Sequence, residues 1–385
     1  MVKTRLDRWM FESFATSAPS LGIYRMIFAS YLLLFAMPSV RWVSAVPDAF
    51  FTPPVGPLQL IHSTPQEWVV TLLSLALAVC TVALLVGYRT RVASAATGVL
   101  LIMVSGFAYA ASSGKINHDL ILLIVVPIVM SASGWGEALS VDRLRRADGE
   151  RRVVHHWPVS LLALFIGFMF FTAALPKAAS GWLDPSAQAT YGYVLHQHYA
   201  STGGTLIAPL LIRTQSPFFW KPLDYFTLVL EGGFIFAIFS RRSLQAFCAA
   251  AVLFHAGTLL MLDLSFAGNV LAYAAFINWA TIAGQVSVPP SVREVASPVI
   301  TWIRRLWGPA LAACVLVAGF GYFALIQRAG TPASWLAVKL GGDSYRGPAL
   351  LLFGLAVPIA LIHLGREATS LVKFLSSETA ILVKA

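Results

Sequence analysis

Long apolar runs separated by short polar stretches dominate the chain. Set against the intervening charges, prolines and glycines, the runs predict about ten helical crossings. These centre on residues 21–37, 68–86, 92–112, 119–133, 157–177, 223–239, 243–262, 267–283, 309–326 and 348–364. A hydrocarbon core ~30 Å thick takes about 20 apolar residues of helix per crossing, because lipid offers the backbone no other hydrogen-bond partner. The runs do not alternate apolar with polar residues, which excludes a transmembrane barrel. The expectation is an all-α, polytopic transmembrane helix bundle of about ten helices.

Two connections stand out in this pattern. Ser240-Arg241-Arg242-Ser243 is the tightest, and it makes the sixth and seventh predicted helices an antiparallel hairpin. The longest, 178–222, carries Trp182, Tyr191, Tyr193, His196, His198, Tyr199 and Trp220 and is expected to fold back on the membrane interface.

Composition agrees with the pattern. Of 385 residues 58% are hydrophobic and only 11% charged, whereas a soluble domain has about a quarter of its residues charged; mean hydropathy is +0.75. The net charge of +10 comes from short basic clusters between apolar runs, so it points to membrane topology and not to a nucleic-acid partner. With the N-terminus inside, about 18 lysines and arginines fall in inner segments and about 8 in outer ones, which places both termini in the cytoplasm. The first run holds Arg25 and lacks a small-residue cleavage site, so it is expected to be a retained helix.

Cys80, Cys248 and Cys314 lie inside apolar runs with no metal or disulfide spacing, and no metal site is predicted. His196-x-His198 has no third ligand in view and reads as an interfacial pair. No P-loop, GxSxG, HExxH or Rossmann pattern occurs in a usable context, which argues against a nucleotide-driven pump.

Ionisable groups inside apolar runs carry the candidate chemistry, since each costs roughly 2.5–3.5 kcal/mol in mid-membrane on insertion scales. Glu231 and His255 flank the Arg241-Arg242 turn at depths differing by one helical turn, with Gly232 and Gly233 allowing close approach; they are expected to meet, either as a mutually satisfied pair or as a proton-handling one. In Lys115-Ile116-Asn117-His118-Asp119, Asn117 or Asp119 serves as a helix cap, which leaves His118 unexplained. Asn269 and Asn278 suit interhelical hydrogen bonds. Lys177, in FFTAALPKAASGWLDP, either snorkels to the outer headgroups or is partly buried behind Pro176, where it would serve as a base. In this topology Lys177, His118 and Asn269 share the outer side.

Several of these stretches together resemble the horizontally transferred transmembrane domain (HTTM) family, which includes the vitamin K-dependent gamma-glutamyl carboxylase. They are GIYRMIFASYLLL, GKINHDLILL, SVDRLRR, FFTAALPKAASGWL and VLFHAGTLLML, spanning roughly residues 20 to 285. The resemblance implies that Lys177, ahead of Gly181-Trp182, is a weak base toward reduced vitamin K or menaquinol. It further implies that His118 and His255 take part in the chemistry, with Asn117, Glu231, Trp182 and Asn269 around the bound quinol. In the carboxylase the quinol reacts with oxygen, and the resulting alkoxide abstracts a glutamyl proton for carboxylation, a lyase reaction.

This chain departs from that pattern where Pro176 precedes Lys177 and where Asp119 follows His118, and it ends in two further predicted helices instead of a large lumenal domain. The expected division is therefore a carboxylase-like membrane domain over 1–285 and a C-terminal extension over 286–385. The expected partners are the lipid bilayer, a quinol and a peptide or protein substrate at the outer face. The expected place is the bacterial cytoplasmic membrane. The rival readings are a non-enzymatic factor for peptide export, maturation or immunity, and a proton-coupled transporter using Glu231 and His255.

Overall fold

A computed structural model describes residues 4–53, 56–112, 119–146, 150, 153–200, 205–285, 298–299, 301–306, 308–339 and 346–382. The chain is all-helical, with no strand among the described residues. In chain order the helices run α1 (Arg5–Phe11), α2 (Ala18–Tyr31), α3 (Glu67–Val86), α4 (Thr90–Ala111), α5 (Asp119–Met130), α6 (Val141–Leu144), α7 (Trp157–Ala179), α8 (Ala189–Ala200), α9 (Ala208–Leu211), α10 (Pro217–Ala237), α11 (Arg241–Leu262), α12 (Ala267–Tyr273), α13 (Trp279–Gly284), α14 (Gly308–Ala329), α15 (Pro332–Lys339) and α16 (Arg346–Leu382).

Among the described residues, seven spans are long and apolar enough to cross a bilayer: Ala18–Ala36, Glu67–Val86, Thr90–Ala111, Trp157–Ala179, Arg241–Leu262, Gly308–Lys339 and Arg346–Ser370. This is a multi-pass integral membrane protein. Three predicted crossings take another form. The 119–133 run is the 12-residue α5, which at ~1.5 Å per residue falls short of a ~30 Å core. The 223–239 run belongs to α10, which starts earlier, at Pro217, and carries Lys221, Asp224 and Glu231.

The 267–283 run is not one helix. It breaks after α12 into a 3-10 turn, Ala274–Phe276, and restarts at α13 with Asn278 as its non-helical N-cap. Ser20 makes the break tolerable: its hydroxyl donates to Asn278 Oδ1 at 2.9 Å and accepts from Ala280 N at 3.0 Å. Asn278 thus makes the expected bond to another helix, from the N-cap position of α13.

By internal contacts the chain forms two units. Unit 1 comprises Met1–Leu162 and Ala274–Pro348. Its helices approach closely at glycines, as polytopic proteins require where lipid gives no hydrophobic drive to association. A methyl group on Gly98 would lie 2.3 Å from Ile128, and one on Gly319 2.7 Å from the backbone of Val79. Arg25, fully buried in α2, donates to the carbonyls of Trp135 at 3.3 Å and Leu139 at 2.5 Å, tying α2 to the segment before α6.

Gly87 closes α3 in a left-handed conformation, φ 71°. A Cβ there would lie 2.4 Å from that of Ser140 and 2.5 Å from the Arg25 guanidinium. Gly87→Ala is therefore expected to destabilise the chain by about 1–3 kcal/mol through overpacking, with backbone strain added. Thermal unfolding in detergent checks this, and an unchanged Tm refutes it.

His156 precedes α7, and its Nδ1 accepts from Thr16 N at 3.3 Å, a bond that only unprotonated nitrogen can make. Burial, and secondarily the neighbouring His155, lower its pKa below the ordinary 6.5. A depressed histidine contributes stability that is complete above the unfolded pKa and is lost as pH falls through it. Tm is expected to drop slightly below pH ~6.5, and His156→Gln is expected to flatten that part of the curve. An identical slope in the variant contradicts the assignment.

Unit 2 comprises Ala163–Tyr273 and Ala349–Ala385. The predicted α10–α11 hairpin is present, with Ser240 capping α11 through Ser243 N. Phe170 of α7 stacks on Phe234 of α10 at 4.1 Å, and Gly233 faces Phe247 of α11. The long connection expected to line the interface folds as α8, α9 and the first turns of α10, around a cluster of Val194, Ala208 and Trp220.

Candidate functional site

The polar centre of unit 2 is built by four helices. On α7, Phe170, Ala174 and Lys177 follow at spacings of four and three and so share one face. That face meets α10, where Phe234 stacks on Phe170 and Gly232 lies beside Ala174. One turn further along the same contact, Lys177 Nζ donates to both carboxylate oxygens of Glu231 at 2.5 Å.

The Lys177 side chain is 27% exposed and that of Glu231 only 6%. Lys177 therefore does not snorkel away: it is turned inward, and its ammonium also lies 5.7 Å from the ring centre of Trp182, within cation–π range. The helix runs through Pro176 to Ala179 before Gly181, at φ 89°, turns the chain so that buried Trp182 folds back over the lysine.

His255 of α11 is 2% exposed and sits in an aromatic box. Its ring stacks on Phe266 at 4.7 Å, Phe170 at 5.8 Å and Tyr273 at 6.1 Å, and its Nε2 is 3.0 Å from the Tyr273 hydroxyl. The expected pairing of Glu231 with His255 is thus replaced by two others, because α7 and α12 bring Lys177 and Tyr273 as nearer partners.

Asn269 of α12 is also 2% exposed and lies four residues before Tyr273, on the same face of that helix. Among the described residues, Asn269 Oδ1 and His255 Nδ1 have no hydrogen-bond partner. Leaving each buried polar atom unpaired costs about 1–3 kcal/mol. Lys177 meets Glu231 and Trp182, and His255 stacks on Phe170 of the same helix as Lys177; Asn117 and His118 lie outside the described residues.

Three participants were missed in the sequence. Tyr273 is the partner of His255. Lys221, 7% exposed, donates to the carbonyls of Trp182 at 2.7 Å and Ala187 at 3.1 Å and pairs with Asp224 at 3.2 Å. Asp224, fully buried, accepts from the first amides of α8, Ala189 N at 3.1 Å and Thr190 N at 2.7 Å. This clasp holds the segment from Trp182 to α8 against α10. Its signal was available as two opposite charges at i, i+3 beside an apolar run.

In the outer connection, His198 Nδ1 is engaged with Thr205 Oγ1 at 3.0 Å. Asp184 accepts from the hydroxyl and amide of Ser186, which hold its carboxyl below the usual range.

Among known proteins, the HTTM domain family model matches residues 15–277, which is more than half of the chain and includes every residue of this site. No curated protein and no solved structure shows a significant match. The chain belongs to the HTTM domain family.

Proposed function

We propose that this HTTM-domain protein is a membrane enzyme acting on a reduced quinone, vitamin K or menaquinol, with the Lys177–Glu231 pair as the proton acceptor. The observation that carries the reading is the inward-turned Lys177, ion-paired to a buried carboxylate and only partly shielded. Such a quinol, when bound, supplies a phenolic hydroxyl that can lose its proton and the electrons that reduce oxygen.

The residues fit that group. Transfer of the Lys177 proton to Glu231 turns the ion pair into a neutral amine and acid, a form favoured by exclusion of water. The amine then offers its lone pair to a hydroxyl proton, and Glu231 holds the first proton at its carboxyl. Asn269 Oδ1 accepts from a hydroxyl, and His255 Nδ1 is the second orphan available to the other end. Phe170, Phe266 and Tyr273 flank the His255 ring and keep water out.

The same reading places the site toward the outer side of a bacterial cytoplasmic membrane, with a peptide or protein substrate approaching from that side for carboxylation. The test is oxygen-dependent consumption of menaquinol or reduced vitamin K by the purified full chain in nanodiscs, with Lys177 present and replaced.

A further inference from the structure

A second polar site lies wholly within unit 1, at the end of the α3–α4 hairpin. There the segment from Ser131 to Arg146 folds against the start of α4 and encloses a cleft of about 360 Å³. Arg89, Arg91, Arg145 and Arg146 line it, with Glu137 and Asp142 as its carboxylates.

The carboxylates are already engaged. Glu137 pairs with Arg146. Asp142 accepts from Arg89 N at 2.8 Å, Thr90 N at 2.7 Å and Thr90 Oγ1 at 2.7 Å, so it both caps α4 and occupies that helix's N-terminal amides. Among the described residues no carboxylate is paired with the side chains of Arg89, Arg91 or Arg145, so the cleft is left with unmatched guanidinium charge. Trp135 also lines the cleft, with its ring packed inward on Tyr24 and Phe28.

Three unmatched guanidinium groups around one cleft call for an anion with several acceptor oxygens. The cleft is also bordered by apolar surface: Val92, one of its lining residues, is 66% exposed, and Leu139, in the segment that forms it, is 55% exposed. We propose that this cleft binds the phosphate of an anionic phospholipid headgroup. Guanidinium groups of Arg91 and Arg145 take the phosphodiester oxygens, and the acyl chains run along Val92 and Leu139 into the bilayer. Basic clefts at the ends of membrane helices recognise such headgroups, with each arginine contributing about a fivefold gain in affinity.

Native mass spectrometry of the detergent-purified full chain tests this by titration with phosphatidylglycerol, phosphatidylcholine or glycerol 3-phosphate. Phosphatidylglycerol is expected to bind at least about tenfold tighter than phosphatidylcholine. Arg91→Gln alone, an exposed side chain whose loss leaves folding intact, is expected to weaken phosphatidylglycerol binding about fivefold, and Arg91→Gln with Arg145→Gln about 30-fold. Arg241→Gln with Arg242→Gln removes equal charge at the α10–α11 turn and is expected to leave binding at the wild-type level.

Equal affinity for the two lipids, wild-type binding by the cleft variants, or an equal loss in the α10–α11 variant overturns the proposal. Glycerol 3-phosphate binding as tightly as phosphatidylglycerol overturns the lipid assignment in favour of a soluble phosphate ester.

Discussion

Lys177→Ala is expected to lower oxygen-dependent menaquinol consumption by about 100-fold to 10,000-fold, the range for loss of a positioned general base. The reasoning rests on what remains. Glu231, 6% exposed, loses its cation and takes up a proton, because an isolated buried carboxylate is too costly to hold charged. The variant then has a neutral acid where a proton acceptor stood, and the aromatic box around His255 is untouched.

Glu231→Gln separates the roles of the pair. The amide still accepts a hydrogen bond from Lys177 but cannot take its proton, so turnover is expected to fall with KM nearly unchanged. A variant that merely loosens the site shifts KM as well. Equal turnover in wild type and Lys177→Ala, or none in either, removes the base assignment under those conditions.

The polar residues of the site were legible in the sequence for an energetic reason. An ionisable or amide side chain in an apolar run needs a partner, and this marked Lys177, Glu231, His255 and Asn269 without any fold. Their partners were not legible. Depth counted from the Arg241-Arg242 turn placed Glu231 near His255, but only the packing of α7 on α10, through Phe170 and Phe234, shows that Lys177 is nearer. Tyr273 carried no signal, since a tyrosine in an apolar run is ordinary.

The helical class was legible because lipid leaves the backbone few choices, whereas the break in the 267–283 run was not. That run is mostly apolar, and the group that satisfies its exposed Ala280 amide is Ser20, 260 residues away. Of the two glycines expected to allow close approach across the hairpin, Gly233 does so against Phe247 of α11, whereas Gly232 faces Ala174 of α7 at an ordinary contact distance. Arg25, a bare cation in the first apolar run, proves to be paid in carbonyls and not in carboxylates.

Asp224→Ala is expected to destabilise the protein by about 3–5 kcal/mol, the cost of breaking a buried ion pair from one side. Asp224 has no exposed surface, and its removal leaves the amides of Ala189 and Thr190 unpaired and the Lys221 ammonium with two carbonyls alone. Replacing both partners, Lys221→Met with Asp224→Leu, removes the stranded charge and is expected to restore part of that loss, because an apolar pair of similar volume needs no desolvation. The amides at the start of α8 remain unsatisfied, so recovery stays incomplete. Thermal unfolding of the purified chain in detergent measures all three proteins. A second readout follows from the geometry: Lys221 holds the Trp182 carbonyl, and Trp182 covers the Lys177 ammonium. Once the clasp opens, Trp182 emission should shift to the red and Lys177 should gain water, so Asp224→Ala loses turnover beyond its loss of folded protein. A variant that unfolds within about 1 kcal/mol of wild type, with unshifted emission, shows that the clasp bears no such load.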